Sequence, residues 1–140
     1  MEGQKRKILI VDDDSFLLDM YALKFSQNNF EVYTASNGVT ALEKLKTGLT
    51  PDVMLMDIIM PEMDGFEMLK QINDQKLCVN CVKIVLSNKS EQSDIDEGDR
   101  LGVVGYIVKA NSTPAEVIDQ VVKILDKGVT IPPVKKAEEV

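Results

Sequence analysis

Polar side chains capable of chemistry follow each of four apolar runs in the sequence. The runs are Ile8–Val11, Val53–Met56, Val82–Leu86 and Tyr106–Val108, and the residues that follow them are Asp12-Asp13, Asp57, Ser87 and Lys109. In an open parallel sheet, side chains at the carboxyl ends of the strands converge on one edge. The sequence therefore predicts a cluster of three carboxylates, one hydroxyl and one ammonium, which Asp14 adjoins as a fourth carboxylate.

Such a cluster needs a cation, because carboxylates close together repel one another by roughly 4 kcal/mol per pair. A bound metal ion or a retained proton removes that cost. Ligands that are all oxygen favour Mg²⁺ or Mn²⁺ over zinc or copper. With a metal in place, one carboxylate can attack phosphorus and form an aspartyl phosphate, while lysine and serine side chains bind the transferred oxygens. We therefore predict phosphoryl transfer to a carboxylate at an Mg²⁺ site.

Each of these residues also has a simpler structural explanation when it is taken alone. Asp14 stands where a helix N-cap is expected, and capping is the more frequent role of an aspartate there. Lys109 by itself is an ordinary surface lysine, and Ser87 alone carries no information. Asp57 is harder to explain structurally, because a charge that directly follows a buried strand must be paired. The combination of residues predicts the site.

The apolar runs alternate with amphipathic segments, which predicts strands that alternate with helices. Strands are expected at Ile8–Val11, Glu31–Ala35, Val53–Met56, Val82–Leu86 and Val103–Val108, and helices at about 15–27, 38–47, 66–72, 90–100 and 114–127. This order predicts an α/β fold with a doubly wound, five-stranded parallel sheet and helices on both faces, in three layers. One domain is expected over residues 1–128, followed by a flexible tail, 129–140.

The composition excludes several functional classes. The chain has 16 basic and 23 acidic residues, a net charge of −7, and no basic stripe on a predicted helix, so direct nucleic-acid binding is not expected. No apolar run reaches the roughly 18 to 20 residues that span a bilayer. The run after the N-terminal cations is too short for a signal peptide. We therefore expect a cytoplasmic protein without membrane association.

The two cysteines form the sequence Cys78-Val79-Asn80-Cys81. A zinc site needs about four ligands, and the chain has no histidine and no further cysteine. A redox pair usually lies at a helix N-terminus after a strand, whereas this pair precedes the apolar run Val82–Leu86. Packing or loop cysteines are therefore the favoured interpretation, with a redox role as the alternative.

Three segments of the sequence resemble the receiver domain of two-component response regulators. They are Ile8–Asp14 (Ile-Leu-Ile-Val-Asp-Asp-Asp), Leu55–Gly65 with its pattern Asp-x-x-Met-Pro-x-Met-Asp-Gly, and Gly105–Lys109 (Gly-Tyr-Ile-Val-Lys). The resemblance extends over about residues 6–127. It implies a flavodoxin-like sheet with strand order 2-1-3-4-5. It also implies a signalling switch, which at most catalyses its own phosphorylation and dephosphorylation.

The resemblance implies a role for the charged residues of the predicted cluster. Asp57 would accept the phosphoryl group from a phosphohistidine on a sensor histidine kinase or phosphotransfer protein. Mg²⁺ would be held by Asp12, Asp13, Asp57 and the backbone carbonyl of Ile59. Lys109 would pair with the phosphate.

The same resemblance implies a conformational role for two residues near the cluster. The Ser87 hydroxyl would move toward a phosphoryl oxygen, and Tyr106 would swing inward as that hydroxyl moves. Pro61 and Gly65 would shape the loop after Asp57 without taking part in the chemistry. An ordinary amphipathic edge-strand aromatic is the alternative interpretation of Tyr106.

Two residues depart from the family pattern at the predicted site. Ala110 follows Lys109 where the family usually has a proline after a cis bond, and Asn88 follows Ser87 where a small residue is usual. A cis bond before a residue other than proline costs about 3 kcal/mol, so we expect a trans Lys109–Ala110 bond and a less firmly placed Lys109. Asn88 is expected to crowd the approach to the phosphoryl group.

Two other functional classes remain open at this point. A phosphatase that forms an aspartyl phosphate typically has a second acid two residues after the nucleophile, and that position here is Ile59. A degenerate receiver would act as a protein-interaction module without being phosphorylated. The sequence identifies neither the kinase nor the downstream partner, and a monomer or weak dimer is expected.

Overall fold

A computed structural model describes residues 5–128 of the chain, in which five strands alternate with five α-helices. The strands are β1 (Arg6–Val11), β2 (Phe30–Ala35), β3 (Val53–Met56), β4 (Val82–Ser87) and β5 (Gly105–Val108). The helices are α1 (Ser15–Gln27), α2 (Gly38–Lys46), α3 (Gly65–Asp74), α4 (Gln92–Arg100) and α5 (Pro114–Lys127), and a 3₁₀-helix covers Lys109–Asn111. Residues 1–4 and the predicted flexible tail, 129–140, lie outside the described residues. Within 5–128, none of the helices combines the length and the apolar character needed to cross a membrane.

All neighbouring strands pair in parallel, in the order β2-β1-β3-β4-β5. Parallel neighbours cannot be joined by a tight hairpin, so each connection carries a helix. β3 lies in the centre of the sheet and is buried along its whole length. The predicted fold class, its five parallel strands and the order 2-1-3-4-5 are confirmed.

Helices cover both faces of the sheet, which gives the three predicted layers. Successive strand residues point to opposite faces, so Ile8 and Ile10 of β1 join one apolar cluster while Leu9 and Val11 join the other. The first cluster is completed by α1 and α5, and the second by α2, α3 and α4. Because both faces are buried, the central strands are apolar throughout instead of alternating with polar residues.

The start of α5 is fixed by a capping box just after the 3₁₀-helix that carries Lys109. Thr113 Oγ1 accepts a hydrogen bond from the backbone N–H of Glu116 at 3.2 Å, and the Glu116 side chain accepts from the N–H of Thr113 at 2.8 Å. Pro114 is the first helical residue, and Gly128 ends the helix in a left-handed conformation with φ of 64°. These ends agree with the predicted ones.

The fifth strand is shorter than predicted, because it begins at Gly105 instead of Val103. The N–H of Val103 donates to the carbonyl of Gly98 at 2.9 Å, and Gly102 has a φ of 93°. These residues complete the end of α4, so backbone hydrogen bonding overrides the β-propensity of the valines. Seven other boundaries differ from the predicted ones by one or two residues. Among the strands, β1 begins at Arg6, β2 begins at Phe30 and β4 extends to Ser87. Among the helices, α2 ends at Lys46, α3 begins at Gly65 and ends at Asp74, and α4 begins at Gln92.

Candidate functional site

The carboxyl ends of β1, β3, β4 and β5 meet at one edge of the sheet around an open cleft of about 430 Å³. Val11 of β1 and Met56 of β3 are register partners, so the next residues of these strands, Asp12 and Asp57, are neighbours. The backbone N–H of Asp57 donates to the carbonyl oxygen of Val11 at 2.9 Å. The cleft is lined by Asp12, Asp13, Asp14, Asp57, Ile59, Ser87, Asn88 and Lys109. Of the predicted site residues, Tyr106 alone does not line this cleft.

Lys109 lies between the two buried carboxylates of the cleft. Its Nζ is 2.8 Å from Asp12 Oδ2 and 2.9 Å from Asp57 Oδ2. The described residues contain no cis peptide bond, so the Lys109–Ala110 bond is trans, as predicted. Contacts with two carboxylates hold the Lys109 ammonium in the cleft. The expected effect of the trans bond on how firmly Lys109 is placed stays a prediction.

The other oxygens of these carboxylates accept hydrogen bonds from backbone N–H groups. Asp57 Oδ1 accepts from Ile58 at 2.7 Å and from Ile59 at 3.3 Å. Asp12 Oδ1 accepts from Asp14 at 2.9 Å. Each carboxylate is therefore held on one side by the backbone and on the other by Lys109, which orients it before any ligand arrives.

Asp14 serves as the N-cap of α1. Its Oδ1 accepts hydrogen bonds from the backbone N–H groups of Phe16 at 3.0 Å and Leu17 at 3.1 Å. These bonds satisfy donors that the first turn of a helix leaves without partners. The structural explanation of Asp14 is confirmed, although this residue also borders the cleft.

Three carboxylates of the cleft are arranged as ligands for a hard divalent cation. One oxygen from each of Asp12, Asp13 and Asp57 lies within 4.8 Å of the others. When all three are ionised they carry −3, and the Lys109 ammonium returns +1, which leaves −2 on these four groups. Mg²⁺ or Mn²⁺ would balance that charge, and both prefer oxygen ligands. The donor set therefore fits the predicted metal, and the Ile59 carbonyl as a further ligand stays a prediction.

Burial and neighbouring charges act in opposite directions on the protonation of the cleft. Burial raises the pKa of Asp12, while Lys109 and the N–H of Asp14 oppose that rise. Burial alone would lower the pKa of Lys109, but its hydrogen bonds to Asp12 and Asp57 outweigh this effect and raise it. Lys109 is therefore an ammonium at neutral pH and supplies positive charge to the cleft.

Ser87 and Tyr106 are linked through the backbone of Lys89. The N–H of Lys89 donates to Ser87 Oγ at 3.2 Å, and the Tyr106 hydroxyl donates to the carbonyl oxygen of Lys89. Tyr106 belongs to an edge strand, as the alternative interpretation requires, but its side chain is buried. Burial, followed by the charges of Asp94 and Asp57, raises the pKa of Tyr106 well above its ordinary value. The phenol is therefore a neutral hydrogen-bond donor.

An ion pair that the sequence alone did not indicate holds the loop between β4 and α4. Lys89 Nζ is 2.8 Å from Asp94 Oδ1, and Asp94 Oδ2 accepts from the N–H of Glu91 at 3.0 Å. Asp94 is buried even though α4 is polar in sequence. The spacing Glu91-x-x-Asp94 is the signal that could have indicated this arrangement, since it places an acid three residues after an N-cap.

The two residues that depart from the family pattern contact each other. Asn88 Oδ1 accepts from the backbone N–H of Ala110 at 2.7 Å, which joins the loop after β4 to the 3₁₀-helix that carries Lys109. A proline at position 110 would have no N–H to donate. The two departures are therefore structurally coupled, while the predicted crowding of the cleft by Asn88 stays a prediction.

Replacing Asn88 with alanine is expected to lower the free energy of unfolding by about 0.5 to 1 kcal/mol, the usual net value of one hydrogen bond. Urea unfolding of the wild type and the variant measures the change. Asn80→Ala, at an exposed asparagine before β4, serves as a matched control with little expected change. Equal unfolding midpoints for the wild type and Asn88→Ala would show that the bond contributes no stability.

Gly65 allows the loop after Asp57 to fold back onto the site. A Cβ added to Gly65 would lie 2.4 Å from the carbonyl oxygen of Asp57 and 3.0 Å from Ile58 Cα, both of which are backbone atoms. The N–H of Gly65 also donates to the carbonyl of Ile58 at 2.8 Å. The close approach of two backbone segments, which side chains cannot relieve, explains why glycine is needed here.

Replacing Gly65 with alanine is expected to lower the free energy of unfolding by about 2 to 3 kcal/mol, because the loop must shift to admit the methyl group. Gly98→Ala is the matched control. A Cβ at Gly98 would meet its nearest atom at 3.5 Å, an ordinary contact, and alanine favours the helix there. Urea unfolding of both variants should give changes of opposite sign, and equal effects would contradict the steric explanation.

A family model described as the response regulator receiver domain matches residues 8–122, which include every residue of the cleft. The chemotaxis protein CheY of Thermotoga maritima is 36% identical over 120 residues, 85% of this chain and 97% of that protein. The alkaline phosphatase synthesis transcriptional regulatory protein PhoP of Bacillus subtilis is 35% identical over 123 residues, 88% of this chain. The chain spans 50% of the length of PhoP.

The fold is also similar to solved structures. A response regulator receiver domain protein (CheY-like) from Methanospirillum hungatei JF-1 superposes with a TM-score of 0.80 at 25% sequence identity. The superposition covers 89% of this chain and 96% of that one. The likeness therefore extends over the whole sheet and its helices.

Proposed function

The chain belongs to the response regulator receiver domain family, and we propose that it is a phosphorylation switch in which Asp57 accepts the phosphoryl group. Members of this family are signalling switches that bind Mg²⁺ at an acidic pocket. The donor in our proposal is a phosphohistidine on a sensor kinase or phosphotransfer protein. The observation that carries the proposal is the contact of Lys109 with both Asp12 and Asp57.

The Asp57 carboxylate is the nucleophile of the proposed reaction. One of its oxygens forms a bond to phosphorus, while the bond from phosphorus to the donor's histidine nitrogen breaks and the nitrogen keeps the electron pair. Two backbone N–H groups orient the carboxylate, so it does not have to be immobilised during the reaction. Asparagine and glutamine amides would not supply this nucleophile.

Positive charge is the second requirement, because the incoming phosphoryl group is itself anionic. The Lys109 ammonium is 2.9 Å from Asp57 Oδ2. It is therefore close enough to bind the oxygens of the phosphoryl group as that group arrives. A divalent cation held by Asp12, Asp13 and Asp57 would supply further positive charge to the same oxygens. The excess of −2 on the cleft without a metal supports a requirement for the cation.

The conformational half of the proposal uses Ser87, Lys89 and Tyr106. A phosphoryl group adds negative charge and acceptor oxygens beside Ser87, whose hydroxyl is expected to turn toward it. Ser87 accepts a hydrogen bond from the N–H of Lys89, and the carbonyl of Lys89 accepts one from Tyr106. A shift of the Lys89 backbone therefore affects both the Ser87 and the Tyr106 side chains. The loop between β4 and α4 is therefore the two-state element that phosphorylation biases.

Two exposed apolar side chains, one lining the cleft and one in the first turn of α1, support a protein as the phosphoryl donor. Ile59 lines the cleft and is 59% exposed, and Phe16, two residues after Asp14, is 77% exposed. Exposed apolar groups around a polar centre are typical of a protein-binding surface. The cytoplasmic location and the state as monomer or weak dimer remain parts of the proposal.

Phosphoryl uptake from a small donor tests the proposed function. The protein is incubated with Mg²⁺ and acetyl phosphate, and its intact mass is measured with and without a chelator. We expect one phosphoryl group per chain with Mg²⁺, none with the chelator, and release of the group by hydroxylamine, which attacks acyl phosphates. No uptake under any metal condition would instead support a degenerate receiver that acts without phosphorylation.

A further inference from the structure

A second chemical site lies at the opposite end of β4 from the cleft. Ser87 is the last residue of this strand, whereas Cys78 and Cys81 precede its first residue, Val82. Both cysteines are free thiols, and neither takes part in the phosphorylation chemistry. The two sites share no residue, so the cysteines need an explanation of their own.

The backbone brings the two cysteines within reach of each other. The N–H of Cys81 donates to the carbonyl oxygen of Cys78 at 3.1 Å, closing a four-residue turn with Val79 and Asn80 at its centre. The first and last Cα atoms of such a turn are less than about 7 Å apart. A disulfide needs a Cα separation of roughly 4.4 to 6.8 Å. The turn therefore satisfies the main backbone requirement for a disulfide between its ends.

The two cysteines differ in exposure. Cys81 is buried, whereas Cys78 is partly exposed and Val79, next to it, is 72% exposed. Small molecules in solution can thus reach Cys78, whereas Cys81 is shielded from them.

A buried lysine supplies positive charge beside this pair. Lys83 is 8% exposed, and its Nζ donates to the carbonyl oxygens of Cys78 at 3.2 Å and Cys81 at 3.3 Å. Over residues 5–128, no carboxylate lies within salt-bridge distance of this ammonium. A buried cation that has only neutral partners is costly. A thiolate at Cys78 would provide the missing negative charge.

The protonation of the pair is consistent with distinct roles for the two thiols. The neighbouring Cys81 thiol and the charge of Lys83 lower the pKa of Cys78 in spite of its burial. The neighbouring Cys78 thiol, together with burial, raises the pKa of Cys81. Cys78 therefore ionises first, and a partly exposed thiolate in an electropositive setting is the reactive form of cysteine.

We propose that Cys78 and Cys81 form a peroxide-sensitive dithiol, in which Cys78 is the reacting residue and Cys81 the resolving one. The Cys78 thiolate attacks one oxygen of hydrogen peroxide, the O–O bond breaks, and the released hydroxide leaves as water after taking a proton. Cys78 is then a sulfenic acid. The Cys81 thiol loses its proton and attacks the Cys78 sulfur, the S–O bond breaks, and a second water leaves. The peroxide gains the two electrons that the two sulfurs lose.

Thiol counting after peroxide treatment tests this proposal. The reduced protein is exposed to hydrogen peroxide with a metal chelator present, alkylated with a maleimide, and weighed by mass spectrometry. We expect the treated protein to have lost two hydrogens and to take no maleimide, the untreated protein to take two, and dithiothreitol to restore both sites. Asp57→Asn should react in the same way, because the dithiol is separate from the phosphorylation site.

Single variants assign the two roles. Cys81→Ser should accumulate a sulfenic acid at residue 78 that dimedone traps, and Cys78→Ser should form neither product. Lys83→Met should slow the reaction by about tenfold, as expected for one pKa unit of thiolate stabilisation. The matched control Lys70→Met removes an exposed lysine of α3 and should leave the rate unchanged. Circular dichroism of each variant checks that the fold is intact.

Three results would overturn the proposal. The first is a peroxide-treated protein in which both thiols still react with maleimide. The second is oxidation of Cys78 to a sulfinic acid without a disulfide. The third is a disulfide between two chains instead of within one, seen as a dimer on a non-reducing gel.

Discussion

Replacing Asp57 with asparagine is expected to abolish phosphoryl uptake completely. The amide is nearly the same size as the carboxylate, and its oxygen can still accept the hydrogen bonds from the N–H groups of Ile58 and Ile59. The fold should therefore be retained, but the amide is neutral and a poor nucleophile toward phosphorus. Intact mass after incubation with Mg²⁺ and acetyl phosphate measures the loss.

Asp119→Asn is the matched control for this change. Asp119 is an exposed aspartate of α5 outside the cleft, so its replacement alters the net charge by the same amount without touching the site. The control should take up one phosphoryl group, as the wild type does. Uptake by Asp57→Asn at the rate of the control would contradict the role of Asp57, and it would point to Asp12 or Asp13 as the acceptor.

Replacing Lys109 with glutamine is expected to slow phosphoryl uptake by about 100- to 1,000-fold, as when an enzyme loses one donor to a developing oxyanion. The ammonium contacts both Asp12 and Asp57, and glutamine offers a neutral amide instead. The variant should still fold and still carry its nucleophile. The rate of uptake from acetyl phosphate at saturating Mg²⁺, measured by quenching samples over time, gives the ratio.

The Lys109→Gln change should also raise the pKa of Asp12. Burial already raises it, and Lys109 is the principal group that opposes the rise. Removing the ammonium leaves the effect of burial unbalanced, so Asp12 should hold its proton to higher pH. NMR titration of the carboxyl carbons detects this shift, which an unrelated disturbance of the fold would not reproduce.

Lys123→Gln, on the exposed side of α5, is the control for the Lys109 variant. It removes one positive charge at a distance from the cleft and should leave both the uptake rate and the pKa of Asp12 unchanged. A Lys109→Gln protein with the wild-type uptake rate would show that its ammonium does not act on the phosphoryl group. The contacts with Asp12 and Asp57 would then be structural only.

The fold could be predicted because its signals are local. A strand buried on both faces must be apolar throughout, and β3, with no polar residue, is central as that rule requires. Capping residues such as Asp14 and Thr113 mark helix starts through bonds to N–H groups only two or three residues away. Because side chains at the carboxyl ends of parallel strands converge on one edge of the sheet, Asp12, Asp57 and Lys109 could then be predicted to lie together.

Features that depend on contacts between distant segments could not be predicted in the same way. The start of β5 is decided by Gly102 and the end of α4, whereas Val103 and Val104 have the side chains of a strand. The ion pairs of Lys109 join it to residues 12 and 57, which the residue after it, Ala110, does not indicate. Local propensity carries no information on such contacts.

Two polar contacts illustrate the same limit. The sequence marks Asn88 and Ala110 as two separate departures from the family pattern, and only the fold shows that Asn88 accepts a hydrogen bond from the N–H of Ala110. Lys83 is the one charged residue in the apolar run Val82–Leu86, and lysines are ordinarily exposed. It is buried instead, because two carbonyls of the preceding turn accept from its ammonium.

The position of the phosphoryl group is the most direct test of the proposed switch. The protein is phosphorylated with acetyl phosphate and Mg²⁺, treated with borohydride, which reduces an aspartyl phosphate to homoserine, and digested for peptide sequencing by mass spectrometry. We predict homoserine at residue 57 and at no other aspartate. Homoserine at position 12 or 13, or a phosphorylated protein in which Asp57 is unchanged, would contradict it.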